Sequence, residues 1–215
     1  MPIQFMKARD PLSCYTHFIG LLLSCAGILI MIAKASANQF HTAQMTGLLF
    51  CFSLIGLYGA SSLYHYSNAD ASTIGRLRKL DHSMIYMLIA GSYTPLLYAI
   101  LPAPKSSVFL LIIWTLAMAG IVMKLCWIHA PRWFGVILYL SMGWFIAVDL
   151  PALKALPSGA LLLLISGGLL YTAGGIIYAI KKPNIGKMFG FHEIFHLFVL
   201  GGSLCHYCMV LFYLV

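Results

Sequence analysis

Seven apolar runs divide this chain, at about 13–33, 43–66, 82–101, 106–125, 132–150, 159–180 and 191–214. Each is closed by charged residues, proline or a polar turn. A hydrocarbon core of roughly 30 Å takes about 20 helical residues per crossing, so each run has the length of one span. The predicted fold is all-α: a seven-transmembrane helix bundle forming a single integral membrane domain over residues 1–215. The connections, among them Asn38, Asn68 to Lys79, Pro102 to Lys105, Lys124 to Arg132, Pro151 to Ser158 and Lys181 to Lys187, are too short for an independent fold.

Composition agrees with solvation by lipid. Hydrophobic residues make up 61% of the 215 and charged residues 8%, against about a quarter charged in a soluble domain. Met1 to Pro11 holds Lys7, Arg9 and Asp10 but no apolar stretch or small-residue cleavage site, so the first span is expected to be the insertion signal. The cations give the orientation, because basic loops stay in the cytoplasm. With the N-terminus inside, that side holds Lys7, Arg9, Arg76, Arg78, Lys79, Lys124, Arg132, Lys181, Lys182 and Lys187, and the other side Lys34, Lys105 and Lys154. The expectation is a cytoplasmic N-terminus and, after seven spans, an external C-terminus. The net charge of +8 then reflects topology and attraction to anionic headgroups. Dispersed among short loops, these cations form no nucleic-acid patch. The six cysteines, including the Cys205/Cys208 pair, sit nearly all within apolar segments and are expected to pack as small hydrophobes without disulfides. Pro95 is expected to kink the third helix.

Ionisable residues inside spans face the bundle interior by default and mark function. Span two ends in Ser61-Ser62-Leu63-Tyr64-His65, span three begins with Asp81-His82, and span seven begins with His192-Glu193-Ile194-Phe195-His196. All three stretches fall at the edge assigned to the cytoplasm. His192 and His196 share one helix face at i and i+4, and Ser61 lies one turn from His65. Neutral imidazoles favour Zn2+, and three protein ligands plus water make an open catalytic site. His65, His192 and His196 are the candidate metal ligands. Asp81 either ligates or accepts a proton or hydrogen bond from the water, and Ser61 is placed to hydrogen-bond Asp81, the water or a substrate oxygen. A polar packing network is the alternative reading of the same residues.

His192-Glu193-x-x-His196 also matches the H-E-x-x-H of zinc proteases, with Glu193 as general base. A membrane protease would need a further acid deep in another helix. The remaining acid near a span, Asp149, falls at the opposite end of span five. The other histidines read as structural: His17 in packing or capping near the start of span one, with lining the same vestibule as the alternative, His82 about 100° from Asp81 and toward headgroups or a loop, His41 and His129 in loops. His206 lies ten residues past His196, about 15 Å along a helix and too far to share the metal.

In sequence the chain resembles the hemolysin III branch of the progestin and adipoQ receptor superfamily. The likeness rests on Asp10-Pro11 with Thr16-His17-x-Ile19-Gly20, on Ser61-Ser62-Leu63-Tyr64-His65, and on Lys79-x-Asp81-His82 continued through Tyr93-Thr94-Pro95. It extends to Tyr139-Leu140-x-Met142-Gly143-Trp144 and to His192-x-x-x-His196-x-Phe198-Val199-x-Gly201-Gly202-Ser203-x-x-His206. The resemblance implies seven helices, a zinc ion on His65, His192 and His196, and motif positions at Asp81 and Ser61. It does not require glutamate at 193. Through the superfamily's similarity to alkaline ceramidases it implies hydrolysis of lipid amides or esters. The expected partners are membrane lipids, and the expected location is a bacterial inner (plasma) membrane. A non-enzymatic receptor, stress-response protein or cytolysin with a structural zinc is the alternative, although no amphipathic pore-forming arm is present.

Overall fold

The computed structural model describes residues 8–37, 41–186 and 189–215; the loop positions Lys7, Asn38 and Lys187 lie outside the described residues. Seven helices follow: α1 (Pro11–Ala37), α2 (Thr42–Tyr66), α3 (Ala71–Ile100), α4 (Lys105–Cys126), α5 (Arg132–Gly143), α6 (Ser158–Ile180) and α7 (Phe191–Met209). A 3-10 stretch, Phe145–Ala155, extends α5, and a π turn, Val210–Leu214, ends α7. Counting those extensions, all seven segments are long and apolar enough to cross a membrane.

The helices follow chain order around the bundle. α2 packs between α1 and α3, α3 against α4, α6 against α7, and α7 returns to α1. α2 and α3 are the most buried, and supply Phe50, Leu54, Leu57, Tyr58, Tyr86 and Leu97 to the core. α1, α4 and α6 turn Leu22, Leu23, Leu111, Leu162 and Leu169 outward, as a lipid-facing surface requires. Gly20 lets α1 approach: a Cβ there would stand 2.7 Å from both Leu200 of α7 and the Tyr58 ring of α2. This contact draws the start of α1 against the helices that carry the histidines.

Two elements differ from the hydropathy pattern. α3 begins at Ala71, about three turns before the apolar run, because Asp70 caps it by accepting from the Thr73 backbone N–H (3.0 Å) and hydroxyl (2.9 Å). Most of the stretch read as the Asn68 to Lys79 loop is therefore polar helix. Span five is broken at Trp144. A break frees backbone groups that lipid cannot satisfy, and Tyr93 of α3 takes them up: its hydroxyl donates to the Gly143 carbonyl (2.7 Å) and accepts from the Ile146 N–H (3.0 Å). Pro95 lies inside α3 without ending it. All six cysteines are free thiols.

Candidate metal centre

Three elements meet where α2 ends and α7 begins. An N-terminal arm, Ala8 to Asp10, lies along the end of α2: the Arg9 and Asp10 amides donate to the Tyr66 and His65 carbonyls, and the Arg9 guanidinium sits 4.4 Å above the Tyr64 ring. Pro11 then starts α1, where its missing N–H costs nothing. α7 starts after Gly190, whose N–H donates to Glu193 Oε2 (2.9 Å), so the Glu193 carboxylate caps the helix start. The other Glu193 oxygen accepts from the Ser13 hydroxyl (2.7 Å), so Glu193 fastens α7 to α1.

Inside this frame the ligand atoms of His65, His192 and His196 all lie within 4.8 Å of one another. His65 Nε2 and His192 Nε2 are 3.2 Å apart. Two nitrogens bound at about 2.0–2.1 Å on a tetrahedral zinc would stand about 3.3 Å apart, so this pair fits one edge of such a site. The outer nitrogens of two rings are held. His65 Nδ1 meets Asp10 Oδ2 at 3.0 Å, and His196 Nδ1 meets the Ser13 carbonyl and the Thr16 hydroxyl at 3.2 Å each. Because a carboxylate and a carbonyl only accept, Nδ1 carries the proton in both rings and Nε2 keeps its lone pair. This is the carboxylate–histidine and carbonyl–histidine support common around metals, and the donor set suits a borderline cation such as zinc. Burial raises the Asp10 carboxyl pKa, but hydrogen bonds from His65 and Arg9 outweigh it and hold the group below its usual range.

Asp81 stands outside the group of three and is hydrogen-bonded to Ser61. It lines a cavity of about 450 Å³ together with His192 and His196. From the histidines the cavity runs between α3, α5, α6 and α7 to Leu153, Leu164 and Met209, with almost wholly apolar walls. From His192 to Met209 is about 25 Å of helix, most of the roughly 30 Å hydrocarbon thickness.

Of the five residues named from the sequence, the structure groups His65, His192 and His196, and pairs Ser61 with Asp81 outside that group. Of the other histidines, His82 differs from expectation, whereas His17 packs as expected. His82 does not turn toward headgroups: its Nδ1 donates to the Arg78 carbonyl (2.8 Å), one turn back along α3, and the ring lines the cavity. His17 is buried at the cavity wall, stacked on His196 with centroids 3.6 Å apart and planes 7° apart, and neither ring nitrogen has a hydrogen-bond partner. His206 is far down α7, its Nε2 3.4 Å from the Leu164 carbonyl. Sequence reasoning missed the part played by Asp10, Ser13 and Thr16. The available signal was Asp10 directly before Pro11, which reads as a helix start.

Comparison with known proteins agrees with this architecture. The family model described as "Haemolysin-III related" matches residues 5–207. The chain is 37% identical over 213 residues to "Hemolysin-3" of Bacillus cereus, covering 99% of this chain and 94% of that one. It is 38% identical to the "Hemolysin-3 homolog" of Bacillus subtilis (strain 168), covering 98% and 97%. More distantly it is 28% identical to the "Adiponectin receptor protein" of Drosophila melanogaster, covering 90% of this chain and 48% of that protein. The chain belongs to the haemolysin-III-related family.

Proposed function

We propose that this protein is a zinc-dependent hydrolase of lipid amides or esters, with His65, His192 and His196 holding the metal. The observation that carries the reading is the set of three converging imidazoles, two of which line a long apolar cavity that Asp81 also lines. A cavity of that shape suits an acyl chain, with the scissile carbonyl at the histidines. Zinc at such a centre lowers the pKa of water and polarises a carbonyl. Asp81 orients the attacking water and accepts its proton, and Ser61 fixes the carboxyl through their hydrogen bond. Asp10 and the Ser13 carbonyl hold two of the imidazoles in the tautomer that leaves Nε2 free. The apolar walls keep bulk water from the reacting carbon.

The histidine end faces the cytoplasm in this reading, as the ten-to-three division of Lys and Arg argues, and the bundle sits in a bacterial inner membrane. Against the protease alternative, both oxygens of Glu193 already accept hydrogen bonds, from Ser13 and from Gly190, in a helix-fastening role. A structural-metal alternative keeps one specific support: the histidines come from α2 and α7, so a cation would also tie those helices together. The deciding experiment incubates purified, zinc-loaded protein with a panel of ceramides, N-acyl lipids and acyl esters, and follows free fatty acid by mass spectrometry. Release of fatty acid from at least one lipid class is expected. No release from protein that keeps its zinc would reject the hydrolase and leave the structural role.

A further inference from the structure

Among the described residues, two histidines line the apolar cavity while carrying buried ring nitrogens that have no hydrogen-bond partner. One, His17, belongs to the metal centre through its stack on His196. The other, His206, stands apart. It lies ten residues further along α7 than His196, about 15 Å away along the helix, and it is buried in almost wholly apolar walls. Its Nε2 is 3.4 Å from the Leu164 carbonyl of α6. A carbonyl only accepts, so Nε2 carries the proton and Nδ1 keeps a lone pair that no protein donor meets.

The fold makes room for this ring. A Cβ on Gly167 of α6 would stand 2.6 Å from His206 Nε2, so glycine at that position lets α6 close on the imidazole. Phenylalanine or leucine would fill the same space with no acceptor left unmet, and an unmet buried acceptor is destabilising. The adjacent polar group cannot serve. Tyr171, whose ring meets His206 edge-on with centroids 5.4 Å apart, has its hydroxyl 2.8 Å from Ser203 Oγ, which also accepts from the Tyr58 hydroxyl (2.7 Å). A lone water is a poor occupant as well. Buried water makes about three hydrogen bonds, whereas Leu164, Ile165, Val199 and Met209 supply the cavity wall on the neighbouring turns of α6 and α7.

We propose that His206 Nδ1 accepts a hydrogen bond from a hydroxyl carried on the acyl chain of the bound lipid, so that the cavity selects hydroxylated chains. Such a chain brings one donor to Nδ1 and apolar surface to the walls, a combination that water lacks. Position sets which hydroxyl fits. An extended chain advances about 1.2 Å per bond, so the distance of about 15 Å from His196 to His206 places the hydroxyl roughly 12 bonds from a carbonyl at the metal centre. The inference rests on the reading that the cavity holds an acyl chain with its carbonyl at the histidines. It does not require that carbonyl to be hydrolysed.

The test is competition against radiolabelled octadecanoic acid on the detergent-purified, zinc-loaded full chain. The competitors are octadecanoic acid, 12-hydroxyoctadecanoic acid and 2-hydroxyoctadecanoic acid, the last controlling for added polarity at the wrong depth. Wild type is expected to bind the 12-hydroxy acid about fivefold more tightly than the other two, the effect of one buried neutral hydrogen bond. His206→Phe is expected to bind octadecanoic acid normally and lose the preference. His206→Asn keeps an acceptor close to the position of Nδ1 and is expected to retain part of it, and Tyr171→Phe to retain all of it. Equal binding of the three acids by wild type, a preference unchanged in His206→Phe, or one abolished by Tyr171→Phe and kept by both His206 variants overturns the proposal. The comparison of 12-hydroxy with 2-hydroxy acid on wild type decides even if His206→Phe does not fold. Failure of wild type to bind any of the acids would instead overturn the acyl-chain reading of the cavity, and this inference with it. Because binding is read without turnover, an inactive protein leaves the site untouched.

Discussion

Replacing Asp10 by asparagine should weaken metal binding without dislodging any of the three proposed ligands. Asp10 Oδ2 is 3.0 Å from His65 Nδ1 and also accepts from Arg9, so the change removes the negative charge that makes His65 a stronger donor to a cation. Loss of such a supporting group typically costs 10- to 100-fold in metal affinity. The Asp10 side chain is 44% exposed, which screens its charge, and asparagine can still accept through its own oxygen. The lower end is therefore expected, about tenfold or roughly 1.4 kcal/mol, with Asp10→Ala losing more and Asp10→Glu recovering part. The assay is competition between purified protein and a chromophoric chelator of known zinc affinity, with Asp70→Asn as the control for an acid that only caps α3. Zinc affinities of Asp10→Asn and Asp10→Ala both within twofold of wild type would refute the reasoning, because His65 would then need no carboxylate to orient it.

Three further outcomes follow from the same contacts. Asp81→Asn should keep stoichiometric zinc but lower lipid turnover by about 10²-fold or more, the usual worth of a positioned general base; unchanged turnover would favour a structural metal. Glu193→Gln should retain turnover while lowering stability in detergent by about 1 kcal/mol, through weaker bonds to Ser13 and Gly190, whereas an H-E-x-x-H protease would lose its activity outright. Tyr93→Phe should destabilise by about 2 kcal/mol, since it strands the Gly143 carbonyl and the Ile146 N–H at the break in span five; an unchanged melting temperature would mean those groups find other partners.

The spans were legible because lipid imposes a strong rule on sequence: outside closed β-barrels, a chain satisfies its backbone there only as long apolar helices. His65, His192 and His196 were legible for a related reason. A histidine in an apolar run stands out, and i, i+4 spacing fixes a shared face. The apolar run did not reveal the start of α3, because Ala71 to Leu80 is polar helix set by the Asp70 cap. Nor did it reveal the break at Trp144, which depends on a Tyr93 hydroxyl supplied from another helix. Asp10 was hidden more thoroughly: its partner His65 lies 55 positions away, and the contact exists only once the arm has docked along α2. His82 was misjudged because angle alone separated it from Asp81, whereas a bond to the preceding turn and a wide cavity place both at one wall.

The central claim is that His65, His192 and His196 hold a metal ion, and metal analysis tests it most directly. Wild type and the His65→Ala, His192→Ala and His196→Ala variants would be purified without chelators and analysed by inductively coupled plasma mass spectrometry. One zinc per wild-type chain, with each variant folded but depleted of it, is the expected result. Wild type without stoichiometric metal, or a His196→Ala variant that keeps a full complement, would contradict the account.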